Sequence, residues 1–465
     1  MALARFFRSC EEISPRLLTR DREIIAPLCS DWTRRVAGGA AALVRPSTEE
    51  ELAAVVEAAV QADVQLHLQG GNTSLVAGAT PFGDSVLLST ARLRSIADPD
   101  LPSLSITAEA GATAAEVNAA LAPRHLKLGV DLASRESATI GGMVATNAGG
   151  IHVVRYGSMR TQLLGIRLVT PAHGAIGRLS PLYKDNTGPD LAAIAAGSEG
   201  LLGVVASAAI KAVPILEHSV VALLSFPSFA AVAEAARRIR LSPVVSALEF
   251  MTAPGMDLVS RHLGRSLPLV GEVFLLVEFE SAFQLLDHVA EVLEDVAPAT
   301  SALAFDARGR AGLWRWREAH TEAIARAGIA HKMDVSLPIT DLVEFVEWIE
   351  GAFAADHRSL DAYLFGHLGD GNVHVNLIGA EPGDLGPDEA VLAKAASMGG
   401  SISAEHGIGR IKAPLVHLVR TPSEIAALYA LKDAFDPGGI LNPGVLLPSP
   451  RGGHAIANAA PGRLA

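Results

Sequence analysis

The chain has 465 residues, 49% of them hydrophobic and 19% charged, which supplies core for two or three packed domains and excludes a disordered chain. Lysine plus arginine number 38 against 50 acids, a formal charge of −12 with no long basic run, so nucleic acid is excluded as an expected partner. The two cysteines, Cys10 and Cys29, cannot build a disulfide framework and fit a reducing compartment.

Residues 1–20 carry Arg5 and Arg8 but no apolar run long enough for a secretory signal, and Glu11 and Glu12 argue against a transit peptide. The most apolar stretch, residues 201–210, is too short to span a bilayer. A cytoplasmic protein without a membrane span is expected. Thr48-Glu49-Glu50-Glu51 opens a helix to about Ala62, its acids placed where the helix dipole favours them. Residues 64–68 alternate as a strand and run into Gln69-Gly70-Gly71-Asn72-Thr73-Ser74, a turn whose backbone N–H groups can approach anionic oxygens. Strands follow at 85–89 and 105–109, then a capping box at Thr113 and Glu116 before a helix at 117–121.

Ser137-Ala138-Thr139-Ile140-Gly141-Gly142 and Thr146-Asn147-Ala148-Gly149-Gly150 form a backbone-rich surface with room for a flat ligand. Residues 163–170 read as a strand and 191–196 as a short helix ending at Gly197-Ser198-Glu199-Gly200. Residues 202–213 are a long, nearly apolar strand. Any one glycine turn is ordinarily a tight corner. Their recurrence across 69–203 in an alternating α/β context points instead to one extended dinucleotide. Neither Gly-x-Gly-x-x-Gly nor Gly-x-x-x-x-Gly-Lys occurs, which disfavours a Rossmann NAD site and a P-loop.

Pro214 marks a boundary. Beyond it, 220–226, 229–239, 247–251, 273–280 and 283–293 read as strand, helix, strand, strand, helix, so the expectation is an antiparallel sheet with helices on one face. Residues 309–328 read as one helix, 334–337 as a strand and 342–353 as an amphipathic helix. Residues 362–365 and 373–378 are short strands flanking the turn Gly369-Asp370-Gly371-Asn372. On one unbroken strand His367 and His374 would face apart; a reversal at Asp370-Gly371 brings them together, and Asn376 shares a face with His374. Ser403-Ala404-Glu405-His406-Gly407 adds a carboxylate and a third imidazole. Two imidazoles, a carboxylate and an open position suit a catalytic divalent metal held by His367, His374 and Glu405, with zinc the first choice. The spacing is not His-Glu-x-x-His, so a hydrolase is the weaker use. Helices follow at 389–398 and 423–435. Residues 450–465, rich in Gly, Ala and Pro, read as a loose tail.

These motifs in this order resemble the FAD-linked D-2-hydroxyacid dehydrogenases of the vanillyl-alcohol oxidase flavoprotein superfamily. The resemblance runs over about residues 40–447, through Gly70 to Ser74, Ser137 to Gly150, Arg155-Tyr156-Gly157, Lys184 to Gly188, Gly197 to Gly200, Gly366 to Asn376, Ala404 to Arg410 and Ile440 to Gly444. It implies an α+β chain: a two-subdomain FAD-binding α/β domain over 1–213, then an α+β substrate domain over 214–385 with an antiparallel sheet. A helical C-terminal segment over 386–449 completes the active site. FAD would be held by Gln69, Gly70, Gly71, Asn72, Thr73, Ser74, Asp131, Ser137, Thr139, Ile140, Gly141, Gly142, Thr146, Asn147, Gly149, Gly150, Tyr156, Glu199, Gly200, Gly203, Val204, Val205 and Asn442. Pro189 and Leu201 stand where the family usually has Tyr and Thr, which leaves room for a changed contact beside the flavin.

Arg317 and Thr321 are i and i+4 on the expected helix, and an Arg fork there can grip a carboxylate. In the resembling 2-hydroxyglutarate enzymes the positions matching Arg317, Thr321 and Lys332 contact substrate carboxylates, which implies a D-2-hydroxy dicarboxylate. His406 is the candidate base, because neutral imidazole titrates near working pH, and Asn376 would orient substrate or base. A D-lactate or glycolate dehydrogenase is the alternative within the family. A non-catalytic flavin-binding subunit of a larger complex is the alternative of another class. The sequence does not name the electron acceptor, for which an electron-transfer flavoprotein or a quinone would serve, and it leaves a homodimer open.

Overall fold

A computed structural model describes residues 1–354 and 360–448 of the chain, so the expected tail at 450–465 lies outside the described residues. The chain divides into two compact units. Of the described residues, one comprises 1–149, 157–214 and 405–448; the other comprises 150–156 and 215–404.

The first unit holds two sheets. In the four-stranded sheet Ala42–Val44, Val86–Ser89 and Leu66–Gln69 run parallel in that order, with Leu18–Thr19 antiparallel at the edge. Helix Glu49–Ala62 crosses over between strands. Thr48 caps its first turn by accepting from Glu51 N, and Leu52, Val55 and Ala59 bury against Val44, Leu66 and Leu88. Helix Ala2–Ile13, which has no side-chain cap to announce it in the sequence, adds Phe6 and Cys10 to the same core. Both cysteines are buried and free.

The second sheet of this unit is antiparallel and built on Val204–Pro214, an eleven-residue strand paired with Ser105–Glu109 on one side and Leu163–Thr170 on the other. Its near-continuous apolar sequence has a packing reason. Val205, Ala208 and Ile210 sit in one hydrophobic cluster while Val204 and Ala206 sit in another, so both faces are covered. The capping box at Thr113 and Glu116 forms as expected, opening helix Ala114–Leu121.

The second unit is organised by a seven-stranded antiparallel sheet in the order Thr300–Ala304, His218–Phe226, Val273–Ser281, Val245–Thr252, Asp361–His367, Asn372–Ile378, Ala330–Ser336. Helices cover both faces, not one. Helices Ala253–Leu263, Ala307–Glu318 and His320–Ala327 pack Met256, Trp314, Trp316 and Ile324 against Leu223, Met251 and Phe365. On the opposite face Phe229 of helix Phe229–Ile239 meets Phe250 edge-on at 5.0 Å. The strands demand this: all eight residues of Val245–Thr252 are buried, and apolar runs such as Phe274-Leu275-Leu276-Val277 cannot leave one side wet.

The single helix expected at 309–328 is two helices meeting at Ala319. The side chain of His320 competes there for backbone acceptors, its Nδ1 donating to the carbonyls of Trp316 at 2.9 Å and Arg317 at 3.2 Å. Among the described residues no helix is long and apolar enough to cross a membrane.

Candidate active site

The hairpin forms where the turn chemistry placed it. Asp361–His367 pairs with Asn372–Ile378 in the register Phe365↔His374 and Tyr363↔Asn376. Directly paired residues share a face, as do residues two apart, so His367, His374 and Asn376 project from one side. The imidazoles meet with Nε2 to Nε2 at 3.4 Å. Gly371 closes the turn with φ +82°, where a Cβ would stand 2.3 Å from the Leu337 carbonyl oxygen.

The flanking strands add charge to the same face. Glu249, fully buried and opposite His367, accepts from His367 Nδ1 at 2.5 Å and from Arg317 Nε at 2.7 Å. Burial alone would raise the Glu249 pKa, but these two donors outweigh it and hold the carboxylate below its usual range. The Arg317 guanidinium lies over the Phe365 ring at 4.5 Å. Its terminal nitrogens make no hydrogen bond among the described residues, which leaves the end of the fork for an incoming carboxylate. On the other side Lys332 stands across from Asn376 and donates to its Oδ1 at 3.0 Å. Burial lowers the Lys332 pKa to about 8. Asp334, across from His374, accepts from the backbone N–H of Ala404 at 3.0 Å, and Glu405 is the next residue of the chain. Thr321 departs from expectation. It is half-buried beyond the Ala319 junction, on a different helix from Arg317, and its hydroxyl makes no hydrogen bond among the described residues.

The first unit gathers the glycine segments. A Cβ on Gly70 would stand 2.3 Å from Thr139 Oγ1, and one on Gly71 would stand 1.8 Å from the Ser137 carbonyl oxygen. The 70–74 turn therefore lies directly on the start of helix Ile140–Thr146. Gly141 packs on Ala110, and Asn72 and Asn147 hold φ of 52°. Ser74 Oγ accepts from Gly78 N at 3.1 Å, while Gln69 is buried and donates to the carbonyls of Leu28 and Ala79. Thr146 donates back into its own helix, to Gly142 O. Asn442 donates to Glu199 O at 2.6 Å and accepts from Leu68 N at 2.7 Å, closing over Gly200. Gly203, Val204 and Val205 lead into the long strand. Asp131 pairs with Arg135 at 2.8 Å. Gly149 belongs to this unit, whereas Gly150 and Tyr156 belong to the other. Glu405 and His406 are half-buried members of the first unit.

Residues 40–180 match the family described as FAD binding domain, and residues 215–446 match FAD linked oxidases, C-terminal domain. The D-2-hydroxyglutarate dehydrogenase, mitochondrial, of Bos taurus is 35% identical over 452 residues, covering 94% of this chain and 82% of that protein. The chain belongs to the FAD-linked D-2-hydroxyacid dehydrogenases. A second relative, the D-2-hydroxyglutarate dehydrogenase of Xanthomonas citri pv. viticola, is 33% identical over 437 residues, 90% of this chain and 91% of that one. Among solved structures p-cresol methylhydroxylase shares the fold, with a TM-score of 0.77, 13% identity and coverage of 97% of this chain and 98% of that chain.

The glycine segments of this FAD-dependent dehydrogenase carry the marks of a ligand cradle. Thr139 Oγ1 and Asn72 Oδ1 are buried, and neither finds a partner among the described residues. Buried polar atoms are rarely left so, and both lie beside backbone that only glycine can supply. The sequence reading missed Glu249. Its signal was a lone charge in the run Ala247-Leu248-Glu249-Phe250-Met251, where an unpartnered carboxylate could not stay.

Proposed function

We propose that the dehydrogenase oxidises a D-2-hydroxy dicarboxylate to the 2-oxo acid, with D-2-hydroxyglutarate first and D-malate next, and that His367, His374 and Glu405 hold a divalent metal, zinc by preference. The observation that carries the substrate class is Lys332, a buried lysine on the same sheet face as the imidazole pair and Arg317's partner Glu249. A second carboxylate buried without a partner is costly, so a site that accepts one must supply cations. Lys332 and the end of the Arg317 fork that Glu249 does not occupy give one cationic donor for each of two carboxylates on or over one face.

The imidazole pair supports the metal. Two nitrogens, each bound at zinc–nitrogen distance with a tetrahedral angle between them, stand about 3.4 Å apart; the Nε2 atoms here are 3.4 Å apart. The His367 Nδ1–H donates to Glu249, which leaves its Nε2 lone pair for a ligand bond. Glu405, the third ligand proposed, directly follows Ala404 in the chain. Bound FAD supplies the two-electron acceptor, and a bound divalent ion supplies Lewis acidity toward the substrate hydroxyl. The protein's own share is to hold and deprotonate. Arg317 and Lys332 hold the carboxylates, Asn376 keeps Lys332 aimed, and His406 accepts the hydroxyl proton on an imidazole nitrogen.

Steady-state kinetics of Lys332→Met test this. The variant should lose on the order of 2–5 kcal/mol in kcat/KM for dicarboxylates and much less for D-lactate. A wild-type enzyme that prefers D-lactate, or a variant that weakens both substrates equally, rejects the dicarboxylate.

A further inference from the structure

We infer that Glu199 is a positioning residue that fixes the Glu405-His406 loop, and that its carboxylate serves the catalytic loop in place of the flavin. This rests on the reading of Glu405 as a metal ligand and His406 as the base. Glu199 lies in the Gly197-Ser198-Glu199-Gly200 turn, is buried, and holds a left-handed φ of 49°. Its backbone is pinned on two sides: its N–H donates to Ala145 O at 2.7 Å, in the helix of the flavin segment, and its carbonyl accepts from Asn442 Nδ2 at 2.6 Å. The side chain turns the other way. Its Oε1 accepts from Ile408 N at 2.7 Å and its Oε2 from Gly409 N at 2.8 Å. Two charge-assisted bonds to successive peptide N–H groups specify the course of the chain two and three residues beyond His406.

The glycines around it fit that purpose. Gly407 has φ +83°, and a Cβ there would stand 2.9 Å from the Glu199 carboxyl carbon. Gly409 has φ +54°, and a Cβ there would stand 2.1 Å from Val76 O, the acceptor of Arg410 N. The loop is thus threaded between a carboxylate and a carbonyl, and only glycine passes at both points. A contact chain runs from Ala145 through Glu199 to the peptides of 408 and 409, so one residue ties the flavin helix to the loop carrying a ligand and the base.

Zinc titration of the FAD-loaded protein, with kcat at saturating zinc, tests this in Glu199→Gln, Glu199→Ala, Gly407→Ala and Glu405→Ala. Gln keeps one acceptor oxygen and should weaken zinc binding on the order of tenfold, Ala nearer a hundredfold, with kcat falling in the same order. Flavin content and spectrum should stay at wild type in both. Gly407→Ala, which crowds the same carboxylate, should reproduce the loss with Glu199 still present, and Glu199→Gln decides the matter if Glu199→Ala does not fold. Wild-type zinc affinity and kcat in the Glu199 and Gly407 variants would overturn the inference, as would loss of flavin with zinc affinity intact. If Glu405→Ala itself binds zinc normally, the metal reading is what fails. The Glu199 variants then still decide the inference through kcat, which must fall if His406 is being positioned.

Discussion

Glu249 shows how one side chain can organise a site from inside a strand. Its two oxygens take a proton donor from His367 and another from Arg317, so it sets an imidazole tautomer and a guanidinium orientation together. Glu249→Gln keeps the shape and removes the charge. We expect metal affinity to fall about 10- to 100-fold, as for other partners that orient metal-bound histidines, and stability to fall by about 3–5 kcal/mol because Arg317 loses its buried partner. Metal titration and urea unfolding check the two parts separately; unchanged values in both would remove Glu249 from the site. Lys332 makes a pH-dependent prediction. With a pKa near 8 it is charged below that value and neutral above it. In the folded state burial opposes the charge, so this residue's contribution to stability improves as pH rises from about 8 toward the ordinary lysine value of about 10.4. Carboxylate binding needs the charged form and moves the opposite way. The kcat/KM for dicarboxylates should therefore fall as pH rises through about 8, with a step that is absent in Lys332→Met. A profile identical in the two proteins would show that Lys332 does not meet the substrate.

At the scale of elements, the hairpin carrying His367 and His374 was legible because its information is local. Gly369-Asp370-Gly371-Asn372 is turn chemistry, and alternation on either side fixes which residues face together. Gly371→Ala should cost about 1–3 kcal/mol of stability, since it forces a side chain into a left-handed backbone and against Leu337 O. Urea unfolding measures this directly, and a wild-type midpoint would mean that the turn relaxes freely. The split at Ala319 was not legible. Helical spacing continues through it, and the feature that breaks it is a histidine ring reaching back to two carbonyls, a tertiary rather than a periodic effect. Helix Ala2–Ile13 was passed over because Met1 supplies no side-chain cap, so the usual start signal is missing although Phe6 and Cys10 are fully buried. Helices cover both faces because the strands are apolar on both sides, which the order of elements along the chain does not report.

At the scale of the whole chain, sequence order and packing part company. Residues 150–156 leave the flavin segment to pack with the second unit, fastened by His152 Nε2 to Glu278 at 2.9 Å and by Arg155 to Glu280 O at 3.0 Å. The chain changes unit again between Ala404 and Glu405. Motifs revealed which segments matter; the unit each one joins depends on pairings hundreds of residues apart, such as Asn442 with Glu199, which periodicity does not report. The division carries a prediction. The 69–74, 137–149 and 199–205 segments lie in the first unit and His367 and His374 in the second, so His367→Ala and His374→Ala should each lose metal and most turnover while keeping wild-type flavin. Loss of flavin in either would show that the two functions are not separable. The most direct test of the proposed chemistry is to add D-2-hydroxyglutarate to the purified, metal-loaded flavoprotein without oxygen and follow the oxidised flavin's visible absorbance. The expected result is rapid bleaching with formation of the 2-oxo acid, faster than with D-lactate. A flavin that stays oxidised with D-2-hydroxyglutarate and D-malate, or one that D-lactate reduces faster, would contradict it.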